Sequence, residues 1–320
     1  MAYVNGTGIT AKGFNAVWVA LGCLLVFAAP AATPADSMGA RFYLMGDGTL
    51  HIKNMHTNKE VTARFVAPDG SFDEAGLSKI DTVFGYPGRG AGDHISLRLL
   101  CMLDYFSDLV APGKMIQLIS GYRSPEYNTS LRDKGGNVAK TSIHMEGMAL
   151  DFSIKGVSGK KLWNLVRSKD CCGVGHYGGE FIHLDAARPR FWEAATSKVR
   201  TGESDFNRRI FATTEFDRYR PGDAVRLSLI MVSDFGFGVQ TPVALVKDAE
   251  GTGTMSTMAL GGPGAGPCLM IPDREAAKAL SFQLPPNAQP GRYRVKIDYC
   301  RRPFEEMPTQ TVSNEIEILR

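Results

Sequence analysis

Between residues 41 and 66 short apolar and polar stretches alternate (RFYLM, TLHIKNM, EVTARFV) with Gly and Asn between them, a pattern that predicts a small antiparallel meander. Ile95, Leu99, Met102, Leu103 and Phe106 then recur at helical spacing, so residues 95–109 are expected to form an amphipathic helix with one buried stripe. The apolar run MIQLIS at 115–120 reads as a buried strand. SPEYNTSLRD, from Ser124, reads as a helix with Ser at the N-cap and Pro125 in the first turn. MALDFSI (148–154) and EFIHLD (180–185) are two more strands, with the short helix GKKLWNLVRS (159–168) between them. The first part of the chain is therefore α+β, an antiparallel sheet with flanking helices.

After Trp192 the periodicity changes. Residues 208–216, 224–235, 241–247, 280–284, 292–299 and 313–319 are strand-like, turns such as RPGD and QPGR separate them, and no helix of any length competes. Tyr293, Val295, Ile297 and Tyr299 alternate with Arg294, Lys296 and Asp298, one buried and one wet face, as in an all-β immunoglobulin-like sandwich. The boundary falls near Thr201, giving a first domain over 36–200 and a second over 201–320. The segment LGGPGAGP (260–267) lacks the Gly-Lys-Ser/Thr ending and following helix of a phosphate loop and reads as a surface loop.

The N-terminus changes the setting. AVWVALGCLLVFAA (16–29) is an apolar run preceded by Lys12 and followed by PAATPADS, a secretory signal pattern with cleavage near residue 35. It is shorter than the about 20 residues a membrane span needs. The mature chain is thus expected to be secreted or periplasmic, with no stable membrane span. Lys plus Arg number 36 against 33 Asp plus Glu, a net charge of +3 that gives no case for a nucleic-acid partner. Of the six cysteines, Cys23 leaves with the signal; Cys268 with Cys300 is the expected pair, and the odd count leaves a thiol over.

The chemistry concentrates in SGYRSPEYN (120–128), SIHMEGMALD (142–151) and GVGHYGGEFIHLD (173–185). His144 and Asp151 are seven apart with Gly147 between them, so a turn can fold the His back toward the strand that carries the Asp, and His183 arrives from a second strand. Two imidazoles and a carboxylate with an open fourth position are the usual ligands of a catalytic zinc ion. Singly, each has an ordinary structural reading: a satisfied core His, a strand-capping Asp, and for Arg123 a surface ion pair. Jointly, buried His and Asp side chains beside apolar strands cost several kcal/mol unless something satisfies them. His51, His56 and His94 lack such a context and read as surface residues.

On these motifs, together with LHIKNMHTNKEVTARF, VAKTSIHMEGMALDF and VGHYGGEFIHLDAARPRFW, residues 41–192 resemble the periplasmic murein LD-endopeptidase K family of the zinc D-Ala-D-Ala metallopeptidase superfamily, which also holds the hedgehog-type domain. The resemblance implies that His144, Asp151 and His183 bind zinc and that Arg123 polarises the scissile carbonyl or binds a substrate carboxylate. Peptidoglycan peptides would be the substrate, with Tyr122, Ser142 and His176 as candidate contacts; relatives carry Tyr where this chain has His176. Zinc-bound water would attack the carbonyl, and Glu180, three residues before the last ligand, would be the general base. Strict alternation puts Glu180 on the face opposite His183 and Asp185 on the same face, so Glu180 serves only if the preceding Gly-Gly makes the strand start irregular. Otherwise Asp185 is the base or holds a ligand in place. The rival readings are a zinc-containing binding module without turnover and a DD-carboxypeptidase.

Overall fold

The computed structural model describes residues 41–88, 90, 92–136, 138–197, 205–247, 253, 256–261 and 266–320. The expected signal segment, the boundary near Thr201 and half of the 260–267 loop lie outside them. All the described residues fall within one compact unit.

In the first part of the chain the sequence writes its own helix starts. Asp73 caps α1 (Glu74–Phe84), Ser96 caps α2 (Leu97–Val110), Ser124 caps α3 (Pro125–Asp133) and Ser158 caps α4 (Gly159–Ser168). Each cap satisfies an amide that would otherwise lack a partner and stabilises its helix by about 1 kcal/mol. Leu99, Met102, Leu103 and Phe106 form the buried stripe of α2 as expected. α1 is an element the sequence pattern does not announce, although Leu77, Ile80, Val83 and Phe84 carry its inward face and Gly85 ends it in a left-handed conformation (φ 73°).

The strands of this part are β1 (Thr49–Asn54), β2 (Glu60–Arg64), β3 (Ile116–Ser120), β4 (Ala149–Ile154), β5 (Gly173–Gly178), β6 (Phe181–Asp185) and β7 (Arg190–Glu193). They form one seven-stranded sheet in the order β2-β1-β3-β4-β6-β5-β7. The sheet is mixed where an antiparallel one was expected: β1 and β3 run parallel, as do β5 and β7. The first parallel pair exists because the chain passes through α1 and α2 before returning to lie beside β1, the crossover that parallel pairing requires. RFYLM, expected as the first strand of a meander, forms no strand. It is bound instead to the second half, with Arg41 paired to Asp223 at 2.6 Å, the Tyr43 amide donating to Asp217 and Phe42 set edge-on against Phe216.

The second half contains β8 (Phe211–Thr214), β9 (Arg218–Tyr219), β10 (Ala224–Ile230), β11 (Phe237–Gln240), β12 (Pro242–Val246), β13 (Ser256–Ala259), β14 (Cys268–Ile271), α5 (Arg274–Lys278), β15 (Leu280–Gln283), β16 (Gly291–Arg301), β17 (Gln310–Val312) and β18 (Ile316–Ile318). They form a three-stranded sheet, β15-β10-β8, and an eight-stranded sheet centred on β16. Tyr293, Val295, Ile297 and Tyr299 are buried along β16, as their alternation requires. The helix α5 is a correction to the all-β reading; at five residues it is too short to show a period. Cys268 and Cys300 form the expected disulfide, Cys171 and Cys172 form another, and Cys101 is a buried thiol.

Two apolar clusters result, one around the first sheet and its helices and one around β10, β11, β12 and β16. They meet closely. Ile230 and Met231 of the second half pack into the first cluster. Arg98 on α2, almost wholly buried, donates to Asp217 (2.9 Å), the Thr213 hydroxyl (2.8 Å) and the Phe216 carbonyl (3.0 Å).

Candidate metal centre

Register decides which side chains share a face. Asp151 on β4 lies directly opposite His183 on β6, which lies opposite Gly175 on β5, which in turn lies beside Trp192 on β7. Cross-strand neighbours point to the same side, so this row of the sheet carries Asp151, His183 and Trp192, while Leu150, Phe152, Ile182 and Leu184 fill the core from the other side. The glycine is required there: a Cβ on Gly175 would lie 2.3 Å from Trp192, whose indole packs against the His183 ring at 4.9 Å. Gly173 likewise makes room for Asp185, whose carboxylate a Cβ would meet at 2.2 Å.

His144 enters from a 3₁₀ turn (Ile143–Glu146) that ends at Gly147 with φ 68°. This is the fold-back expected between His144 and the strand of Asp151. His144 Nε2 lies 3.3 Å from His183 Nδ1 and 3.3 Å from Asp151 Oδ1, and His183 Nδ1 lies 2.8 Å from the same oxygen. The three residues are buried, and their donor atoms converge within 4.8 Å. Each imidazole has its second nitrogen bound elsewhere: His144 Nδ1 to the Gly121 carbonyl (2.8 Å), His183 Nε2 to Asp185 Oδ2 (2.8 Å). That fixes ring orientation and leaves one nitrogen per ring for the centre. The two 3.3 Å separations match the ~3.3 Å edge of a tetrahedron with bonds of about 2.0–2.1 Å, the geometry of a zinc-type ion, while the 2.8 Å between His183 and Asp151 is that of a direct hydrogen bond.

The electrostatics of Asp151 and His144 agree with ligand chemistry, and His183 departs from it. Burial alone pushes the Asp151 carboxyl up, but the His144 and His183 imidazoles beside it hold it well below the usual carboxylate range, so it is an anion. Burial lowers His144 and keeps it a neutral donor. For His183 burial acts the same way, yet Asp151 and Asp185 outweigh it and raise the ring above its ordinary value. Asp185 is fully buried; Arg190 and His183 overcome the cost of burial and hold it at about 2.

The other expected residues are distributed as follows. Arg123 donates through Nε to Ser120 Oγ (2.9 Å) and through Nη2 to Asp151 Oδ2 (2.7 Å), so it grips the carboxylate oxygen facing away from the imidazoles. Asp185 accepts from His183, the Ala187 amide and Arg190, which uses its acceptor capacity and makes it a support for His183. Glu180 does not join this face: its Oε1 accepts from the Gly156 amide at 2.9 Å, as strand alternation requires, and the glycines before it do not overturn that. His176 pairs in register with Ile182 and Glu193 on the opposite side, with Nδ1 3.6 Å from Glu193, and is not brought to the centre. Its neighbour Tyr177 is, through a hydroxyl that donates to Asp151 Oδ1 at 3.0 Å; the register shift between His176 and Gly178 conceals this from simple alternation. Burial and the nearby Asp151 charge push the Tyr177 phenol up, so it remains a donor. Tyr122 packs edge-on against Tyr86, and Ser142 lies buried at the start of the turn. Of the histidines read as surface residues, His51 and His56 fit. His94 does not, being bound to Asp81 (2.6 Å) and Glu74 (2.8 Å).

Residues 45–192 match the family model described as peptidoglycan L,D-endopeptidase MepK. The protein of that name from Escherichia coli K12 is 33% identical over 144 residues, which cover 45% of this chain and 79% of the relative. The Shigella flexneri protein matches to the same extent, and a probable peptidoglycan L,D-endopeptidase MepK from Haemophilus influenzae is 30% identical over 146 residues, 78% of its length. On these matches the chain belongs to the MepK family, a family of metallopeptidases.

Proposed function

We propose that this chain is an exported zinc peptidase that hydrolyses amide bonds in peptidoglycan peptides, as an L,D-endopeptidase of cross-links, with a peptidase domain over residues 36–200 and an immunoglobulin-like sandwich over 201–320. The observation that carries the reading is the convergence of His144 Nε2, His183 Nδ1 and Asp151 Oδ1, each imidazole held by its other nitrogen. The names of the relatives support the substrate class, and the signal pattern supports a periplasmic or secreted location. No helix among the described residues is long and apolar enough to cross a membrane.

His144, Asp151 and His183 would hold the ion, which supplies a Lewis acid that acidifies water and polarises the scissile carbonyl. The chain's own residues do the rest. Arg123 keeps Asp151 charged and oriented, and its unused N–H groups are available to the developing oxyanion. Tyr177 donates to the ligand oxygen. Asp185 and Arg190 lock the His183 ring. Glu180 lies at the β5–β6 turn, bound to the Gly156 amide; to carry a proton it would have to release that amide and turn to the ligand face about Gly178 (φ 105°) and Gly179 (φ 58°).

The bond between Glu180 and Gly156 favours a second reading, a metal-holding module without turnover. Metal content and muropeptide release, measured for wild type and His144→Ala, separate the two. The peptidase reading expects about one zinc per chain and opened cross-links from wild type, and neither from the variant. Stoichiometric metal with no release would replace it by the binding module.

A further inference from the structure

The turn that carries His144 is held from outside the family-matched region. Glu146, at its end, is buried, with only 4% of its side chain exposed. Among the described residues its charge partners come from α5: Arg274 pairs with Oε1, and Lys278 Nζ lies 3.1 Å from Oε2. Lys278 also reaches the Glu146 carbonyl at 3.5 Å. The family match ends at residue 192, whereas these cations lie beyond residue 270. On its other side the turn is tied to the peptidase half, through the Gly147 carbonyl to the Ser96 amide (2.9 Å) and the His144 carbonyl to the Arg123 amide (3.2 Å).

We propose that Arg274 and Lys278 act through Glu146 as positioning residues for the His144 turn, so that the C-terminal half completes the metal centre. The physical case is the cost of an unpaired buried carboxylate. Glu146 sits two residues from a ligand in a turn of four, and without the two cations its desolvated charge is left uncompensated, which favours movements of that turn that bring it to water. A ligand nitrogen displaced by a fraction of an ångström loses metal affinity and the alignment of whatever the metal activates. The proposal rests on the reading of His144 as a ligand.

The test uses the full mature chain with Arg274→Ala and Lys278→Ala combined. Zinc affinity, measured by competition with a chelator, is expected to fall at least tenfold. Amide exchange of Met145, Gly147 and Met148 in metal-free protein is expected to quicken by a similar factor, while the amides of β16 keep their protection. With metal saturating, kcat falls and KM does not. Adding Glu146→Gln, which removes the stranded charge, restores most of the affinity, and Arg274→Lys alone stays near wild type. Lys278→Gln alone gives a smaller loss in the same direction and serves if the double variant does not fold. Affinity and exchange within twofold of wild type in the folded variant would overturn the proposal whatever the activity. A wild type that binds zinc but cuts nothing would overturn the peptidase reading and leave this one intact.

Discussion

His183 Nε2 and Asp185 Oδ2 lie 2.8 Å apart, although the two residues are next-but-one neighbours on a single strand. Both point to the face of β6 that meets Asp151, and the contact turns the imidazole so that Nδ1 is the nitrogen that reaches Asp151. Arg190 in turn holds Asp185 at 2.7 Å, which makes a chain of charge running from a partly exposed guanidinium to the buried centre.

Asp185→Asn keeps the shape of this support and removes its charge. Zinc affinity is expected to drop by about 10- to 100-fold, the usual effect of losing a carboxylate behind a ligating His. Competition with a chelator measures it; affinity within twofold of wild type would mean that the ring is oriented by Trp192 and not by Asp185.

The second prediction concerns the glycine over which Trp192 passes. Gly175→Ala places a methyl group 2.3 Å from the indole, closer than real contacts allow, so the ring must move away from His183. Destabilisation of about 1–3 kcal/mol is expected in denaturant unfolding, the range of an overpacked core. Combining it with Trp192→Leu should recover part of that loss. If the double variant is no better than Gly175→Ala alone, the clash is elsewhere.

Much of this centre was legible before any coordinates. The seven-residue spacing from His144 to Asp151 around Gly147 defines a turn followed by a strand, and period-two alternation in FIHLD assigns His183 and Asp185 to one side. What escaped did so for local reasons. The irregular pairing between His176 and Gly178 conceals the fact that Tyr177, not His176, reaches Asp151. Glu180 stands one residue before its strand begins, where alternation and the freedom of two glycines give opposite answers. α5 is shorter than two turns, and its partner Glu146 lies 128 residues away from Arg274, a separation at which no periodicity gives warning. Gly173 and Gly175 were a usable signal: small residues at alternate positions of a strand beside His183 mark large side chains crossing over it.

Glu180→Gln separates proton transfer from structure, because the amide oxygen of Gln can still accept from the Gly156 N–H. On the proposed role of Glu180 as proton carrier, unfolding midpoint, metal content and KM should stay at wild-type values while kcat falls by about 10²–10⁴-fold, the contribution of an acid–base group. A kcat within threefold of wild type would assign Glu180 to the turn alone.

Away from the centre, Asp104 on α2 predicts a pH dependence of folding. The residue is fully buried, accepts from the Gly48 amide at 2.8 Å and lies close to Asp47 and Asp108. Burial first, with the neighbouring Asp108 and Asp47 charges adding to it, pushes its carboxyl up from 3.8 to about 7. A raised pKa means that the folded state holds the proton more tightly than the unfolded chain. The stabilising contribution is therefore complete below about pH 4, shrinks as pH rises and is lost above about pH 7. At 1.36 kcal/mol per unit, a shift of about 3 units sets a ceiling of about 4 kcal/mol. Asp104→Asn cannot titrate there. Urea unfolding of both proteins at several pH values between 4 and 9 should show wild type losing stability relative to the variant across that window, most steeply at about pH 5 to 6. A stability difference that does not change with pH would show that the Asp104 carboxyl titrates in the folded protein as it does in the unfolded chain.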